Sequence, residues 1–237
     1  MSGAVGLGLR DLTAGYGALP VLRKITTSVA PGQITVVLGH NGAGKSTLGK
    51  AIMGMIPVSG GVVSLDGVAL QRLSIGRRLQ AGVSLVLQER AVFPELTVLE
   101  NLRLAGRSRR YARDELSAAC SQAWRLFPIL DEFRHRLAAS LSGGQQRMLA
   151  IAMGLMTQPR FLILDEPSLG LSPKLVEEVM TQISVICREL GVTVLLIEQN
   201  VEAALKIATA AIAIRSGAII YAGDSAALDS KAVVDLL

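Results

Sequence analysis

Four short runs of almost continuously apolar residues alternate along the chain with segments of helical periodicity. The runs are residues 34–38, 84–87, 161–164 and 192–197. Strands that are apolar at nearly every position are covered on both faces, which is typical of a largely parallel sheet with helices on each side. Each run ends at polar residues, and ligands of such sheets bind at the C-terminal ends of the strands. The pattern therefore predicts an α/β domain whose chemistry lies at that edge.

Further patterns surround this predicted core. Residues 7–12 and 21–29 are typical of antiparallel strands, and residues 211–222 predict a hairpin that turns at Ser216-Gly217. From about residue 92 to residue 156 the strand pattern disappears and apolar residues recur at helical spacing. We therefore expect a helical lobe between two parts of the sheet domain.

The composition of the chain restricts its class. It has 237 residues, of which 50% are hydrophobic and 18% charged, and this excludes an intrinsically disordered protein. The longest uncharged stretch, residues 25–44, is interrupted by Pro31, Asn41 and several glycines, so it does not predict a membrane-spanning helix. Residues 1–11 have no basic segment ahead of their apolar residues and do not resemble a secretory signal. We therefore expect a cytoplasmic protein.

The formal net charge of +5 suits an anionic ligand or an anionic membrane surface. The densest positive run contains Arg103, Arg107, Arg109, Arg110 and Arg113. Its only aromatic residue is Tyr111, which favours a solvated helical face over a platform for stacking bases, and no nucleic-acid partner is expected. The two cysteines lie far apart without Cys or His at metal spacing, so neither a disulfide framework nor a zinc site is expected.

The strongest chemical pattern is a glycine-rich loop that follows the first apolar run. It reads Gly39-His40-Asn41-Gly42-Ala43-Gly44-Lys45-Ser46, a full match to the phosphate-loop pattern. Glycines let backbone N–H groups turn toward phosphate oxygens, and the N-terminus of the following helix adds positive potential. Lys45 is expected to reach the terminal phosphates and Ser46 to bind magnesium. The residues of this helix expected to face the core are Leu48, Ala51, Ile52 and Met55.

The third apolar run, residues 161–164, has Asp165 and Glu166 at its C-terminal end. Beside a phosphate loop, Asp165 is expected to hold the magnesium ion. Glu166 is the candidate general base, which orients and deprotonates a water for in-line attack on the γ-phosphate. The two patterns together predict a magnesium-dependent site for nucleotide hydrolysis.

A third pattern is Leu141-Ser142-Gly143-Gly144-Gln145, in which Ser142 and Gln145 have the spacing of a helix capping box. A glycine-flanked helix start is also an anion site. At this pentapeptide the sequence resembles the nucleotide-binding domains of ATP-binding cassette (ABC) transporters, and the resemblance covers nearly the whole chain. In that family the signature of one subunit binds the γ-phosphate held by the phosphate loop of the other. The resemblance therefore implies a head-to-tail dimer with ATP at its interface.

The resemblance also implies a fold and a domain division. The fold is an α/β, P-loop NTPase (RecA-like) core with an N-terminal antiparallel β subdomain and an inserted α-helical subdomain. Residues 1–237 are expected to form a single ABC ATPase domain. Its catalytic core is expected at approximately 1–91 and 157–237, and its helical subdomain with the signature at 92–156.

Individual residues receive roles from the same resemblance. Tyr16 matches the aromatic residue that stacks on adenine, and Gln88 matches the glutamine that contacts magnesium and the attacking water. The implied nucleotide-binding residues are Tyr16, Gly39, Asn41, Gly42, Ala43, Gly44, Lys45, Ser46, Thr47, Ser142, Gly143, Gly144 and Gln145. The implied magnesium ligands are Ser46, Gln88 and Asp165, and the implied catalytic residues are Glu166, Lys45, Gln88 and Gln199. Residues 168–171 match the loop that joins two sites, although the aspartate often found there is absent.

Gln199 departs from the family pattern, in which a histidine at this position contacts the γ-phosphate. An amide donates a hydrogen bond but cannot become a cation. The variant Glu198-Gln199-Asn200, together with residues 92–94, 97–98, 100–102 and 166–171, resembles one of the two ATPase subunits of branched-chain amino acid importers. Urea and amide importers are close relatives of these.

The resemblance implies an ATPase that uses ATP and Mg²⁺ to drive import of branched-chain or other hydrophobic amino acids. Its expected partners are membrane permease subunits, a second ABC ATPase subunit in a heterodimer or a homodimer, and indirectly a substrate-binding protein. It is expected to lie peripherally on the cytoplasmic face of the cell membrane. The alternatives are an importer of urea or amides, a weakly hydrolysing regulatory subunit, and an ABC ATPase outside transport.

Overall fold

The computed structural model describes residues 6–17, 19–89, 91–109 and 111–228. The strands in these ranges are β1 (Leu7–Tyr16), β2 (Leu19–Val29), β3 (Ile34–Leu38), β4 (Val58–Leu65), β5 (Val68–Ala69), β6 (Val83–Val86), β7 (Phe161–Asp165), β8 (Thr193–Ile197), β9 (Ala210–Arg215) and β10 (Ala218–Asp224). The helices are α1 (Lys45–Met53), α2 (Ile75–Gln80), α3 (Val98–Gly106), α4 (Arg113–Leu126), α5 (Pro128–Glu132), α6 (Gly143–Leu155), α7 (Pro173–Leu190) and α8 (Val201–Leu205). Within the same ranges, no helix combines the length and the apolar composition that crossing a membrane requires.

The larger sheet has six strands in the order β10-β9-β3-β8-β7-β6. Strand β3 pairs in parallel with β8 and β9, and β7 pairs in parallel with β6 and β8. All four apolar runs are therefore strands of one largely parallel sheet, as predicted, with ends that differ by at most one residue. The C-terminal ends of β3, β7 and β8 meet at one edge of this sheet.

The two faces of the larger sheet pack into separate apolar clusters. Along β3, Ile34, Val36 and Leu38 belong to one cluster, whereas Val37 belongs to the other. Successive side chains of a strand point to opposite faces, so a strand buried on both faces must be apolar at nearly every position. This requirement explains the continuous apolar runs of the sequence.

The smaller sheet is antiparallel, in the order β2-β1-β4-β5. The predicted pairing of β1 with β2 is confirmed, but the sequence pattern missed β4 and β5. Gly60 and Gly61 interrupt β4, and Gly61 has a φ of 81° where the pairing with β1 shifts register. A Cβ on Gly61 would lie 2.3 Å from the carbonyl oxygen of Asp11, so a glycine is required at this bulge.

The predicted hairpin is formed by β9 and β10. Its turn residues, Ser216 and Gly217, have φ values of 50° and 79°, as a type I′ turn requires. The hairpin does not only flank the parallel core, because β9 is itself a parallel neighbour of β3.

The described residues between 92 and 156 form α3 to α6 and contain no strand of either sheet. Leu48, Ala51 and Ile52 of α1 are buried as expected, but the prediction for Met55 is wrong. Gly54 ends α1 in the left-handed region, so Met55 lies beyond the helix with 44% of its surface exposed. In the arginine-rich run, Arg103, Arg107 and Arg113 are exposed, whereas Arg110 lies outside the described residues.

Candidate active site

The phosphate loop joins the buried strand β3 to α1, which begins at Lys45. Gly42 and Gly44 have φ values of 80° and 111°, a conformation that strains other L-residues. Gly39 is needed for a different reason, because a Cβ there would lie 2.5 Å from the carbonyl oxygen of Ile214 on β9. The glycines thus permit both the turn and its close packing against the sheet.

The hairpin turn supports this loop from outside. The N–H of Gly217 donates to the carbonyl of Ala43 at 2.9 Å, and the Gly217 carbonyl accepts from the N–H of Arg23 on β2 at 2.8 Å. A Cβ on Gly217 would lie 1.8 Å from the carbonyl oxygen of Val21. The turn was predicted from the sequence, but its contact with the phosphate loop was not.

Lys45 is 4% exposed, and its side chain contacts the backbone of the loop. Its Nζ donates to the carbonyls of Gly39 at 2.8 Å and His40 at 3.2 Å, and lies 3.9 Å from Glu166 Oε1. Burial lowers the pKa of Lys45, and the nearby carboxylates of Glu166, Asp165 and Glu198 oppose that shift. The ammonium group is therefore held in place by weak acceptors that a phosphate can replace.

Ser46 and Asp165 meet beside the lysine. The Ser46 hydroxyl donates to Asp165 Oδ1 at 2.9 Å, although the two residues are 119 positions apart. Burial raises the pKa of Asp165, whereas the hydrogen bond from Ser46 lowers it. A hydroxyl and a poorly hydrated carboxylate are oxygen donors that Mg²⁺ prefers, so these residues fit a magnesium site.

Glu166 has the least usual environment in the site. It is 4% exposed, its φ is 50°, and its N–H donates to the carbonyl of Ile197 at 2.8 Å. Its Oε1 accepts a hydrogen bond from Gln199 Nε2 at 2.5 Å. Within the described part of the chain, the buried Oε2 has no hydrogen-bond partner. A buried carboxylate oxygen without a donor is costly, which points to a ligand or water at this position.

These groups surround a cleft of about 280 Å³. Its lining residues are Asn41, Gly42, Gly44, Lys45, Ser46, Thr47, Gln88, Glu166 and Gln199. The structure thus brings together most of the phosphate loop with Gln88, Glu166 and Gln199, which lie far apart in the sequence. Asp165 reaches the cleft through its hydrogen bond to Ser46.

The other expected nucleotide residues lie elsewhere. Tyr16 ends β1 with 52% of its surface exposed and does not line this cleft. The signature begins α6, where Ser142 and Gln145 form the predicted capping box through reciprocal bonds of 3.3 and 2.9 Å. Gly143 lines a neighbouring groove with Phe93, and Gln88 lines both this groove and the phosphate-loop cleft. Within one chain, no signature residue therefore lines the phosphate-loop cleft.

Sequence reasoning missed Glu198, a carboxylate that is 2% exposed and directly precedes Gln199. It accepts hydrogen bonds from the backbone N–H groups of Ser168, Gln199 and Asn200. The signal that identified Asp165 and Glu166, an apolar strand that ends in an acidic residue, is also present at the end of β8.

Comparisons with known proteins identify the family of the chain. The family model described as ABC transporter matches residues 22–169. The high-affinity branched-chain amino acid transport ATP-binding protein BraG of Pseudomonas aeruginosa is 38% identical over 213 residues, or 90% of each chain. The probable branched-chain amino acid transport ATP-binding protein LivF of Archaeoglobus fulgidus is also 38% identical, over 90% of this chain and 89% of that protein.

Solved structures extend the likeness to the fold. A nucleotide-free ATP-binding cassette from an ABC transporter superposes with a TM-score of 0.85 at 26% identity and covers 98% of both chains. The ADP conformation of the cassette MJ1267 has a TM-score of 0.83 at 25% identity, with 100% of this chain and 98% of that chain covered.

Proposed function

The chain belongs to the ABC transporter family as one of its ATPase subunits, and we propose that it powers an importer of branched-chain or other hydrophobic amino acids. Support for this substrate class comes from BraG and LivF, which are named for branched-chain amino acid transport and match 90% of this chain. The transported molecule would bind to other subunits, since the cleft of this chain is lined by phosphate-loop residues.

The observation that carries the proposed catalysis is the environment of Glu166. One carboxylate oxygen is fixed by Gln199, while the other is buried without a donor beside the phosphate-loop cleft. A general base needs a lone pair that is free to take the proton of the attacking water. Oε2 of Glu166 meets that requirement.

Bound ATP supplies the γ-phosphoryl group, and Mg²⁺ neutralises part of its charge. Lys45 would exchange its two loop carbonyls for phosphate oxygens, and Ser46 and Asp165 would hold the magnesium ion together with Gln88. The glycine-loop N–H groups would bind the phosphates, and Tyr16 would stack on adenine. Gln199 would hold Glu166 and polarise the γ-phosphate by a neutral hydrogen bond.

The proposed assembly follows from the position of the signature outside the phosphate-loop cleft. Since the signature residues Ser142 to Gln145 do not line the cleft of the same chain, we infer that they complete the site of a second ABC ATPase subunit in a head-to-tail dimer. That subunit would be a different chain or a second copy. The dimer would dock on membrane permeases at the cytoplasmic face, and a substrate-binding protein would deliver the amino acid. The helical subdomain, 92–156, would carry the signature, and the catalytic core, approximately 1–91 and 157–237, would carry the phosphate loop.

The proposal is tested in host cells that lack the gene, complemented with variants of the full chain. Glu166→Gln keeps the shape of the side chain and removes the base, so ATP binding should persist while turnover falls about 10²- to 10⁴-fold. Uptake of labelled leucine, isoleucine and valine should fall in parallel. Glu132→Gln is the matched control, because this exposed glutamate lies in the helical lobe away from the cleft.

Three results would contradict the proposal. Wild-type turnover in the Glu166→Gln complex would remove Glu166 from the catalytic role. Normal leucine uptake with lost uptake of urea or amides would replace the substrate class. Uptake that continues when ATP turnover is lost would make the chain a regulatory subunit.

A further inference from the structure

The carboxylate of Glu198 accepts three backbone hydrogen bonds at the C-terminal end of β8. Its Oε1 accepts from the N–H of Ser168 at 2.9 Å. Its Oε2 accepts from the N–H groups of Gln199 at 3.0 Å and Asn200 at 3.3 Å. With the residue 2% exposed, these three donors replace the water that an exposed carboxylate would have.

The donors come from two different loops. Ser168 follows Glu166 by two residues after β7, whereas Gln199 and Asn200 follow β8. The two strands are parallel neighbours, with Asp165 paired to Ile197. Glu198 thus ties together the two loops that leave adjacent strands at the catalytic edge.

The same two loops also meet at the candidate base. Gln199 Nε2 donates to Glu166 Oε1, so the bonds form a closed ring through Glu166, Ser168, Glu198 and Gln199. In this ring the bond of Glu198 to the Gln199 N–H fixes the backbone from which the Gln199 side chain reaches Glu166. The bond to Ser168 fixes the segment that follows Glu166.

We propose that Glu198 is a positioning residue, which holds the loop of Gln199 and the turn after Glu166 in the arrangement that aims Glu166 at the attacking water. This inference rests on the proposed role of Glu166. Glu198 does not line the phosphate-loop cleft and acts through Gln199 and the Ser168 turn.

The chemistry of the site explains why a carboxylate is required. Three N–H donors converge on this side chain, and a carboxylate offers acceptors at both oxygens and no donors. An amide has one oxygen and an NH₂ group, so Glu198→Gln must set its NH₂ group against at least one backbone N–H. The ring is then open at Ser168 or at Gln199 and Asn200, whichever oxygen is lost.

The first test needs no nucleotide. Amide hydrogen exchange of the full chain, measured by NMR, reports the N–H groups of Ser168, Gln199 and Asn200 directly. In Glu198→Gln, exchange of Ser168, or of Gln199 with Asn200, should accelerate about tenfold or more, because a hydrogen bond to a charged acceptor is lost. Glu115→Gln is the matched control, since Glu115 accepts a backbone N–H bond of 2.8 Å from Ala112 on an exposed surface. Unchanged exchange at all three amides would overturn the proposal that Glu198 holds the two loops together.

The second test uses the complex purified from host membranes through a tag on this chain. For Glu198→Gln, kcat for ATP should fall about 5- to 50-fold while KM stays within about twofold, because phosphate binding is left intact. A rise in KM at unchanged kcat would overturn the positioning role. The Glu115→Gln complex should match wild type in both constants.

A double-mutant cycle separates positioning from a general structural effect. If Glu198 acts through Gln199, adding Glu198→Gln to Gln199→Ala should lower kcat by no more than about threefold further. Losses that multiply in full would show that Glu198 acts independently of Gln199 and would overturn the route proposed here. If Glu198→Gln does not fold, Glu198→Asp supplies the same cycle, because it keeps the charge and withdraws the carboxylate by one methylene.

The two proposals fail in different ways. Wild-type turnover in the Glu166→Gln complex removes the proposed base, whereas the exchange experiment on the nucleotide-free chain still decides whether Glu198 joins the two loops.

Discussion

Arg78 is buried at the C-terminal end of α1, the helix that begins with the phosphate loop, and its removal tests how that helix is anchored. Only 3% of the residue is exposed. Its Nη1 donates to the carbonyls of Ala51 at 3.2 Å and Ile52 at 2.5 Å, and its Nε donates to the carbonyl of Leu73 at 3.2 Å. A cation at the C-terminal end of a helix donates to the terminal carbonyls and interacts favourably with the helix dipole. Burial lowers the pKa of Arg78, but arginine remains charged at neutral pH.

The expected cost of Arg78→Met follows from these contacts. Methionine fills much of the space of the side chain but leaves the buried carbonyls of Ala51 and Ile52, and the partly buried carbonyl of Leu73, without their charged donor. A hydrogen bond to a charged group contributes about 1.5–3 kcal/mol, part of which is recovered because the buried charge itself is removed. We expect a net loss of about 2–4 kcal/mol in the free energy of unfolding. For a domain of this size, each kcal/mol lowers the melting temperature by about 2–4 °C, so the total shift is about 4–16 °C.

The assay is differential scanning calorimetry of the nucleotide-free chain. Arg77→Met is the matched control, because Arg77 is the exposed neighbour of Arg78 on α2 and its replacement makes the same change of charge. The control should stay within about 0.5 kcal/mol of wild type. Equal melting temperatures for the two variants would refute the view that the Arg78 hydrogen bonds anchor α1. ATP affinity should change little in either variant, because the phosphate loop lies at the other end of the helix.

Three further predictions concern the active site. Burial raises the pKa of Asp165 above its ordinary 3.8, so the contribution of this residue to stability is full below pH 3.8 and is lost as the pH rises through the raised pKa. Asp165→Asn should therefore raise the melting temperature of the nucleotide-free chain at pH 7 while it abolishes Mg²⁺-dependent turnover. A lower melting temperature would contradict this reasoning. Gln199→Ala should slow ATP turnover about 5- to 150-fold, whereas Gln199→His should be tolerated and add a pH dependence between about pH 5 and 8. A pH–rate profile of the assembled complex measures both effects. Full activity of the alanine variant would remove Gln199 from the site. Ser142→Arg should impair the site of the partner ATPase while nucleotide binding at Lys45 of the same chain, measured by calorimetry, persists; loss of that binding would exclude the head-to-tail arrangement.

The parts of the fold that sequence reasoning predicted are those set by contiguous residues. The strands β3 and β7 are apolar throughout because both faces are covered, and the phosphate loop between β3 and α1 is a single uninterrupted motif. The capping box of Ser142 and Gln145 depends on residues three apart, and it forms as predicted. In each case the sequence spacing itself defines the geometry.

The missed features depend on partners that are distant in the sequence. Arg78 caps carbonyls 26 and 27 positions earlier, and no local pattern distinguishes it from the exposed Arg77. Gly217 was predicted as a turn residue, but its support of the Ala43 carbonyl requires the order of the strands in the larger sheet. Met55 was assigned to the core by helical spacing, which does not register the left-handed Gly54 one position earlier.

Glu166 and Glu198 show why sequence alone could not separate a catalytic from a positioning carboxylate. Both follow apolar strands of the same sheet, and both are almost completely buried. The difference lies in their donors, since Glu198 has backbone N–H groups at both oxygens, whereas Oε2 of Glu166 has none among the described residues. Three backbone N–H groups already occupy acceptor sites of Glu198, whereas a general base needs a lone pair that is free to take the proton of the attacking water. On the two proposals made above, the proton chemistry is assigned to Glu166 and the positioning of its turn to Glu198.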